Sequence, residues 1–254
     1  MTYYGLEHPN PNKPQFRSDR REAISGCVPV HTVESQIDVH PPDNGAENTA
    51  AYLSSRTTYG SYHCIVDADT AIDYAPPSYE TWHVAADHHN WHAWGIAFAC
   101  AATDWGKHPA WDEAALNIAA VKIADFAIWW ATNIKGDSRE AFLVARKINR
   151  SDALARRAGI CLHGELQPAD RTDAWLNHPD AEQLTKRLVD KVAAVIRERL
   201  HPEDEMTPAQ EAKLDAVVDD VETIRSKVDH EIRHIEGTLG KQQKLLEQIL
   251  EKCN

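Results

Sequence analysis

Short apolar runs recur through the first 178 residues of the chain. The runs at 23–32, 61–67, 94–101 and 160–162 predict buried β-strands, and 71–74 is the expected hairpin partner of the second run. Runs this short are typical of strands rather than helices. The hydrophobic pattern therefore predicts several strands that are spread over this part of the chain.

Segments with helical spacing lie between these runs. Residues 45–56 have helical composition, 110–134 carry apolar residues at helical spacing, and 137–158 suggest a second helical stretch. The middle segment is apolar on more than one face, so we expect a largely buried helix there. Strands and helices that mix in this way are typical of an α/β fold with a central mixed β-sheet flanked by helices.

The pattern changes after Pro179. Residues 181–200 form one amphipathic helix by periodicity, and a linker follows at 201–208. From Ala209 a single apolar stripe runs along a charged helical segment. Such a stripe cannot stay exposed, so it either folds back on the domain or forms a coiled coil with another copy. We expect self-association, because no second helix of matching length follows. The predicted organisation is an N-terminal arm at 1–22, a domain at 23–178 and a helical C-terminal segment at 179–254.

Composition removes several classes of partner. Aspartate and glutamate number 39 against 27 lysines and arginines, which gives a formal net charge of -12. Nucleic-acid phosphates would be repelled by such a surface, so we expect no nucleic-acid partner. Apolar stretches fall short of the roughly 20 residues of a membrane helix, which predicts no membrane insertion. The polar N-terminus lacks the apolar core of a secretory signal, so we expect synthesis in the cytoplasm.

The five cysteines show no metal-binding spacing. No two of them form C-x-x-C, and Cys27, Cys64, Cys100 and Cys161 lie inside apolar runs. A cysteine in an apolar run usually behaves as a small buried hydrophobe. We therefore expect free thiols in a protein made in a reducing compartment.

Candidate chemistry begins with two histidines and an aspartate. His163 and Asp173 stand ten residues apart, and His31 follows the first predicted strand. If the three side chains converge, they form a three-ligand zinc site whose fourth position is open, as in catalytic rather than structural sites. Zinc in such a site activates water and polarises a carbonyl. Spacing alone is a weak signal, because a chain with 14 histidines contains many such trios by chance.

Four motifs of the sequence together resemble those of one known family. They are V-H-T (30–32), S-Y-H-C-I-V-D (61–67), W-G-I-A-F (94–98) and H-G-E-L-Q-P-A-D-R-T-D (163–173). In this order and spacing the chain resembles the zinc-dependent N-acetylmuramoyl-L-alanine amidases, which share a fold with peptidoglycan recognition proteins and short amidase-type phage lysozymes. The resemblance covers about residues 23–178. It implies a sheet flanked by helices, with Zn²⁺ in a groove that binds the sugar–peptide stem of peptidoglycan.

The resemblance also implies roles for single residues. It makes His31, His163 and Asp173 the zinc ligands. Tyr62 corresponds to a tyrosine whose hydroxyl lies beside the metal-bound water. Arg171 stands where many relatives have a lysine that faces the scissile carbonyl, and a guanidinium there would hold the developing oxyanion as a permanent cation.

The loop at 82–94 is rich in histidine and tryptophan. The resemblance implies that this loop lines the substrate groove, so His83 and Asn90 are expected to contact glycan or stem peptide. His83, His88, His89 and His92 together also look like a metal-binding cluster. Three histidines within five positions of a polar loop more often face solvent, and that is our expectation for His88, His89 and His92.

Two departures from the family pattern affect the details. Many relatives continue T-D-P-G, whereas this chain has Ala174 and Trp175 after Asp173. The cytoplasmic recycling branch has a catalytic glutamate on the strand where this chain has Ala97 and Ala99. That branch is therefore disfavoured, and Tyr62 becomes the expected polar partner of the metal.

The sequence thus predicts a lytic peptidoglycan amidase, with a phage endolysin as the best fit. An endolysin is made in the host cytoplasm and acts on the bacterial cell wall. The C-terminal helix would then serve as an oligomerisation or wall-binding segment. Two alternatives stay open at this point: a non-catalytic peptidoglycan-binding module of the same fold, and an enzyme of wall recycling or remodelling.

Overall fold

The computed structural model describes residues 2–20, 22–33, 42–84, 89–169, 171 and 173–200, within a compact unit of Met1–Pro202. Its strands are β1 (Phe16–Arg17), β2 (Cys27–Thr32), β3 (Cys64–Val66), β4 (Ala71–Asp73), β5 (Glu80–Thr81), β6 (Ile96–Phe98) and β7 (Gly159–Leu162). Its α-helices are α1 (Tyr4–Glu7), α2 (Gly45–Leu53), α3 (Pro109–Trp130), α4 (Arg150–Leu154), α5 (His163–Leu166) and α6 (Ala181–Leu200). A π-helical turn, Ala131–Lys135, continues α3.

A five-stranded mixed sheet with the order β4-β3-β6-β2-β7 organises the unit. In this order β3, β6, β2 and β7 each run parallel to the next strand, and β4 pairs antiparallel with β3 at one edge. All six residues of β2 and all four of β7 are buried, as expected for parallel strands covered on both faces. The predicted mixed sheet flanked by helices is confirmed. β1 and β5 form a separate antiparallel pair.

Helix α3 packs along the core of the sheet. It begins with Pro109 at its first turn, a position where the missing N–H costs nothing. Its buried alanines, among them Ala115, Ala119 and Ala127, let the helix approach its neighbours closely. By length and composition the stretch Pro109–Lys135 could cross a membrane, with a mean hydropathy of 1.3. The expectation that no stretch reaches the length of a membrane helix is therefore corrected. The high hydropathy of this stretch comes from core-packing residues, and 56% of its most apolar 18-residue window is buried.

Helix α6 packs against α3. Leu184, Leu188, Val192 and Ile196 are buried at four-residue spacing and belong to the same core cluster as α3. Burial of each such side chain stabilises the fold by about 1.5–3 kcal/mol. At the edge of this contact, Lys191 Nζ lies 2.5 Å from a carboxylate oxygen of Glu113 on α3.

The compact unit is longer than the predicted domain of 23–178. α6 belongs to it because the apolar face of that helix has a partner on α3. The predicted arm at 1–22 also packs: Asn10 Nδ2 donates to the carbonyls of Leu53 and Arg56, at 2.8 and 2.9 Å. The apolar stripe that begins at Ala209 lies outside the described residues.

Two smaller predictions have different outcomes. Cys27, Cys64, Cys100 and Cys161 are buried and free, as expected. The predicted helical stretch at 137–158 is wrong as one element. It consists of the 3-10 helix Ser138–Leu143 and the short α4, because an extended Asn149 caps α4 and separates the two.

Candidate metal centre

His31 lies near the end of β2, and His163 follows the last residue of the adjacent parallel strand β7. Val30 of β2 pairs with Leu162 of β7, so the next residue along the chain in each case is one of the two histidines. Their ring centroids lie 4.3 Å apart. Both side chains are buried, with 1% and 4% of their surface exposed. The pairing of β2 with β7 therefore brings together two residues that are far apart in the sequence.

Asp173 completes the group from the loop after α5. Its Oδ1 lies 3.1 Å from Nδ1 of His163, and its Oδ2 lies 3.8 Å from Nδ1 of His31. The backbone N–H of Thr32 donates to Oδ2 at 3.3 Å, and the N–H of Gly164 donates to the Asp173 carbonyl. A Cβ on Gly164 would lie 2.7 Å from that carbonyl oxygen, so only glycine allows this approach.

The outer nitrogen of each histidine has its own partner. Nε2 of His163 lies 2.6 Å from Oε1 of Gln167, and Nε2 of His31 lies 3.2 Å from Nδ1 of His83. These contacts accommodate hydrogen on Nε2 in both rings, the tautomer that metal ligation through Nδ1 requires. In that tautomer both Nδ1 lone pairs lie on the side of Asp173. Ligand histidines in metal sites are held by such a hydrogen bond from the second nitrogen.

The geometry of the three side chains fits a metal ion. Their ligand atoms all lie within 4.8 Å of one another, and His31 Nδ1 is buried with no hydrogen-bond partner in the described part of the chain. Burial, and then the neighbouring His163 and His83, lower the pKa of His31 well below its ordinary value. The ring therefore stays neutral, as ligation requires. Two nitrogens and one carboxylate oxygen are a donor set that suits zinc and leaves a position open.

Tyr62 lies beside this group, two residues before β3. Its ring centroid is 5.1 Å from that of His31. Burial, together with the negative charge of Asp173, raises the pKa of Tyr62 to about 12. The phenol is therefore protonated at neutral pH and can donate a hydrogen bond.

A cavity of about 520 Å³ opens beside the candidate ligands, two of which, His163 and Asp173, line it. Arg171 is exposed at its wall, and its backbone N–H donates to the Gln167 carbonyl at 2.9 Å. The cavity is lined by Thr32, Arg56, Tyr59, Gly60, Tyr62, Trp82, His83, Val84, Asn90, His163, Gln167, Arg171 and Asp173. Arginine side chains and aromatic rings thus share its wall with the candidate ligands.

His83 and Asn90 both line this cavity, in agreement with their predicted place in the groove. Their contacts are nevertheless directed into the protein. His83 touches His31, and Asn90 Oδ1 accepts from the backbone N–H groups of His83 and Val84, at 2.8 and 2.7 Å. Substrate contact by either residue stays a prediction.

The other loop histidines differ from expectation. His89 and His92 are 0% and 2% exposed, so the prediction that they face solvent is wrong. The reason is local: His89–Trp91 forms a 3-10 turn that folds inward, and His92 Nδ1 lies 2.9 Å from the Ser25 hydroxyl. His88 lies outside the described residues.

Strand pairing shows which residue lies beside the first candidate ligand on β6. Ala97 of β6 stands directly opposite His31 of β2. The side chain on β6 that lies beside His31 is therefore the methyl group of Ala97 rather than a carboxylate.

Sequence reasoning missed one member of the site, Gln167, and one contact within it, that of His83 with His31. Gln167 had a detectable signal, because it stands four residues after His163, a spacing that places side chains together on a helical turn. The contact of His83 with His31 joins residues 52 positions apart, and no local pattern announces it.

Comparisons with known proteins gave structural matches only. No family model and no curated protein matches the chain. Among solved structures, it is similar to a mutant form of PlyL, with a TM-score of 0.43 and 16% identity over 70% of this chain and 90% of that chain. The Staphylococcus aureus hydrolase AmiA, in complex with its ligand, gives 0.43 and 16% over 75% and 82%. A mutant endolysin from Bacillus subtilis gives 0.37 and 16% over 70% and 92%.

Two of these solved proteins carry the names hydrolase and endolysin. At these identities and TM-scores the matches carry no function to this chain, whose site residues alone bear on its chemistry.

Proposed function

We propose that the protein is a zinc-dependent hydrolase of bacterial peptidoglycan that cleaves the amide between N-acetylmuramic acid and L-alanine of the stem peptide. The observation that carries this proposal is the convergence of His31, His163 and Asp173, whose ligand atoms lie within 4.8 Å of one another, beside a cavity that His163 and Asp173 line. Zinc bound there supplies Lewis acidity, which polarises the scissile carbonyl and activates water for attack. The choice of bond follows from the motif resemblance.

The cavity supports a substrate that is part sugar and part peptide. Its volume of about 520 Å³ is in the range of sites that hold a small molecule or a short segment of polymer. Tyr59 and Trp82 present aromatic rings at 5.4 Å from each other, and such rings pack on the apolar faces of sugars. Arg56 and Arg171 add positive charge to a cavity in an acidic protein, which favours the carboxylates of a stem peptide.

Tyr62 and Arg171 supply the polar groups for the reaction. The Tyr62 phenol keeps its proton at neutral pH, so it donates a hydrogen bond to the oxygen that becomes negative when the carbonyl is attacked. Arg171 offers a fixed positive charge to the same oxygen. A guanidinium does not release its proton at neutral pH, so its role is electrostatic.

The biological role that we propose is that of a phage endolysin, made in the host cytoplasm and acting on the cell wall. The C-terminal segment would add an oligomerisation or wall-binding function. A second candidate is a non-catalytic peptidoglycan-binding module of the same fold, which would use the same cavity without cleaving the amide. Retention of all three candidate ligands supports the enzyme.

The test is mass spectrometry of the products after the zinc-loaded protein is incubated with insoluble peptidoglycan. A His163→Ala variant is the matched control, because it removes one candidate ligand at the end of β7. We expect free stem peptides with a new L-alanine amino terminus from the wild type and not from the variant. Intact muropeptides from both proteins, over several wall types, would replace the enzyme with the binding module.

A further inference from the structure

The two candidate histidine ligands are held in different ways. His163 is held by Gln167, four residues away on the same helical turn. His31 is held by His83, which comes from a loop 52 residues further along the chain. The orientation of His31 therefore depends on how well that loop is fixed.

The position of His83 is set from three sides. Asn90 Oδ1 accepts hydrogen bonds from the backbone N–H groups of His83 and Val84. The imidazole packs against Gly95, where an added Cβ would lie 2.5 Å from His83 Nδ1. The ring of His63 meets it edge to face at 5.8 Å. The side chain is 7% exposed, so it has little room to take another orientation.

The contact with His31 has the geometry of a ligand and its support. His83 Nδ1 lies 3.2 Å from His31 Nε2, the nitrogen on the far side of the ring from Asp173. The two rings are nearly perpendicular, with an interplanar angle of 88°. If His31 Nε2 carries the hydrogen, His83 Nδ1 accepts it, and His31 Nδ1 keeps its lone pair for the metal.

We propose that His83 is a positioning residue of the metal centre, which orients His31 by accepting a hydrogen bond from its Nε2–H. This inference rests on the proposed metal centre, and it assigns His83 a role other than substrate contact. Without the acceptor, His31 would keep a buried, unsatisfied N–H or rotate to relieve it, and either change weakens ligation. Loss of such a support lowers metal affinity by about 10- to 100-fold in other metal sites.

The experiment is a zinc titration of the full chain, stripped of metal, in competition with a chromophoric chelator. His83→Phe removes the acceptor and keeps a ring of similar size. His83→Asn is its matched partner, because the amide oxygen can take the place of Nδ1. We expect zinc affinity to fall about 10- to 100-fold in His83→Phe and to stay within about threefold of wild type in His83→Asn.

Two further measurements separate positioning from simple structural damage. Thermal melting of the metal-free variants checks that both are folded. The visible absorption of the Co²⁺-substituted proteins reports ligand geometry without any activity, and it should change in His83→Phe and resemble wild type in His83→Asn.

The outcomes decide between the two roles of His83. Wild-type zinc affinity and an unchanged Co²⁺ spectrum in a folded His83→Phe would overturn the proposal, above all if KM for peptidoglycan rises, since His83 would then be a substrate contact. Weaker zinc binding with no amide cleavage by the wild type would uphold the role of His83 and reject the proposed enzyme. A wild type that binds no zinc would reject both.

Discussion

Two buried histidines, in two regions of the molecule, show what separates a ligand from a structural residue. His63 lies under the N-terminal arm, and both of its ring nitrogens have partners. Nδ1 lies 3.0 Å from both the Gly95 N–H and the Thr81 hydroxyl, and Nε2 lies 2.9 Å from the Tyr79 carbonyl. His31 has a partner at Nε2, but within the described residues its Nδ1 has no hydrogen bond.

Burial does not distinguish the two. Each is 1% exposed, and burial lowers the pKa of both His31 and His63 well below the ordinary value. Both rings are therefore neutral at pH 7. The difference lies in the second ring nitrogen. In His31 this nitrogen, Nδ1, faces a carboxylate and another imidazole, an arrangement that suits a bound cation. A complete set of partners marks His63 as part of the framework.

The largest expected effect comes from His31→Ala. A catalytic metal contributes several kcal/mol to the transition state, and about 4 kcal/mol corresponds to a thousandfold in rate. We therefore expect at least about a thousandfold loss of amide cleavage. Zinc should raise the melting temperature of the wild type and leave that of His31→Ala unchanged, because only a folded site that binds the ion is stabilised by it.

This experiment tests the comparison directly. A zinc-dependent rise in melting temperature that persists in His31→Ala would show that the ion binds elsewhere. The comparison between the two histidines would then lose its basis.

His63→Ala should have the opposite profile. It leaves the Gly95 N–H and the Tyr79 carbonyl without partners, and each buried unsatisfied group costs about 1–3 kcal/mol. We expect the free energy of unfolding to fall by about 3 kcal/mol in urea denaturation, with one zinc still bound per chain. His63→Asn, which can still accept from Gly95, should lose less. Loss of zinc binding in a folded His63→Ala would place this residue in the metal centre instead.

The secondary structure could be predicted from the sequence in part. The strands were predictable because each is a short apolar run: β2, β3 and β6 form inside the predicted runs, and β7 begins one residue before its run. The lengths of β2, β3 and β6 were overestimated, since apolar residues that flank a strand pack in the core without joining the ladder. The packing of α6 was not predictable, because an apolar stripe does not state whether α3 or another chain covers it.

The candidate site was predictable in part, and for a different reason. His31, His163 and Asp173 came from an ordered set of motifs, whereas their convergence depends on the pairing of β2 with β7. The partners of His31 and His63 come from loops with no periodic pattern. Side chains that a loop brings together leave no trace in local sequence, so the His83 contact was not foreseen.

The smallest expected effect tests a third buried histidine, His92. Burial, and then the nearby His89 and Arg156, lower the pKa of His92 to about 3. The unfolded chain has the ordinary value of about 6.5, so between these limits the unfolded state binds a proton that the folded state does not. The free energy of unfolding therefore falls as the pH falls below about 6.5, by up to about 1.4 kcal/mol per pH unit for this one group.

His92→Asn removes this proton and keeps a polar atom near the Ser25 hydroxyl, which lies 2.9 Å from His92 Nδ1. We expect urea denaturation at a series of pH values from about 6.5 to 4.5 to give a slope shallower by up to one proton than that of the wild type. The zinc affinity of the variant should match the wild type at pH 7, because His92 contacts Ser25 rather than a candidate ligand. Parallel profiles for the two proteins would mean that His92 is protonated in the folded state as readily as in the unfolded one. Burial alone would then not be enough to keep a histidine of this protein neutral. The neutral form of His31 would have to be explained by the groups that its ring contacts.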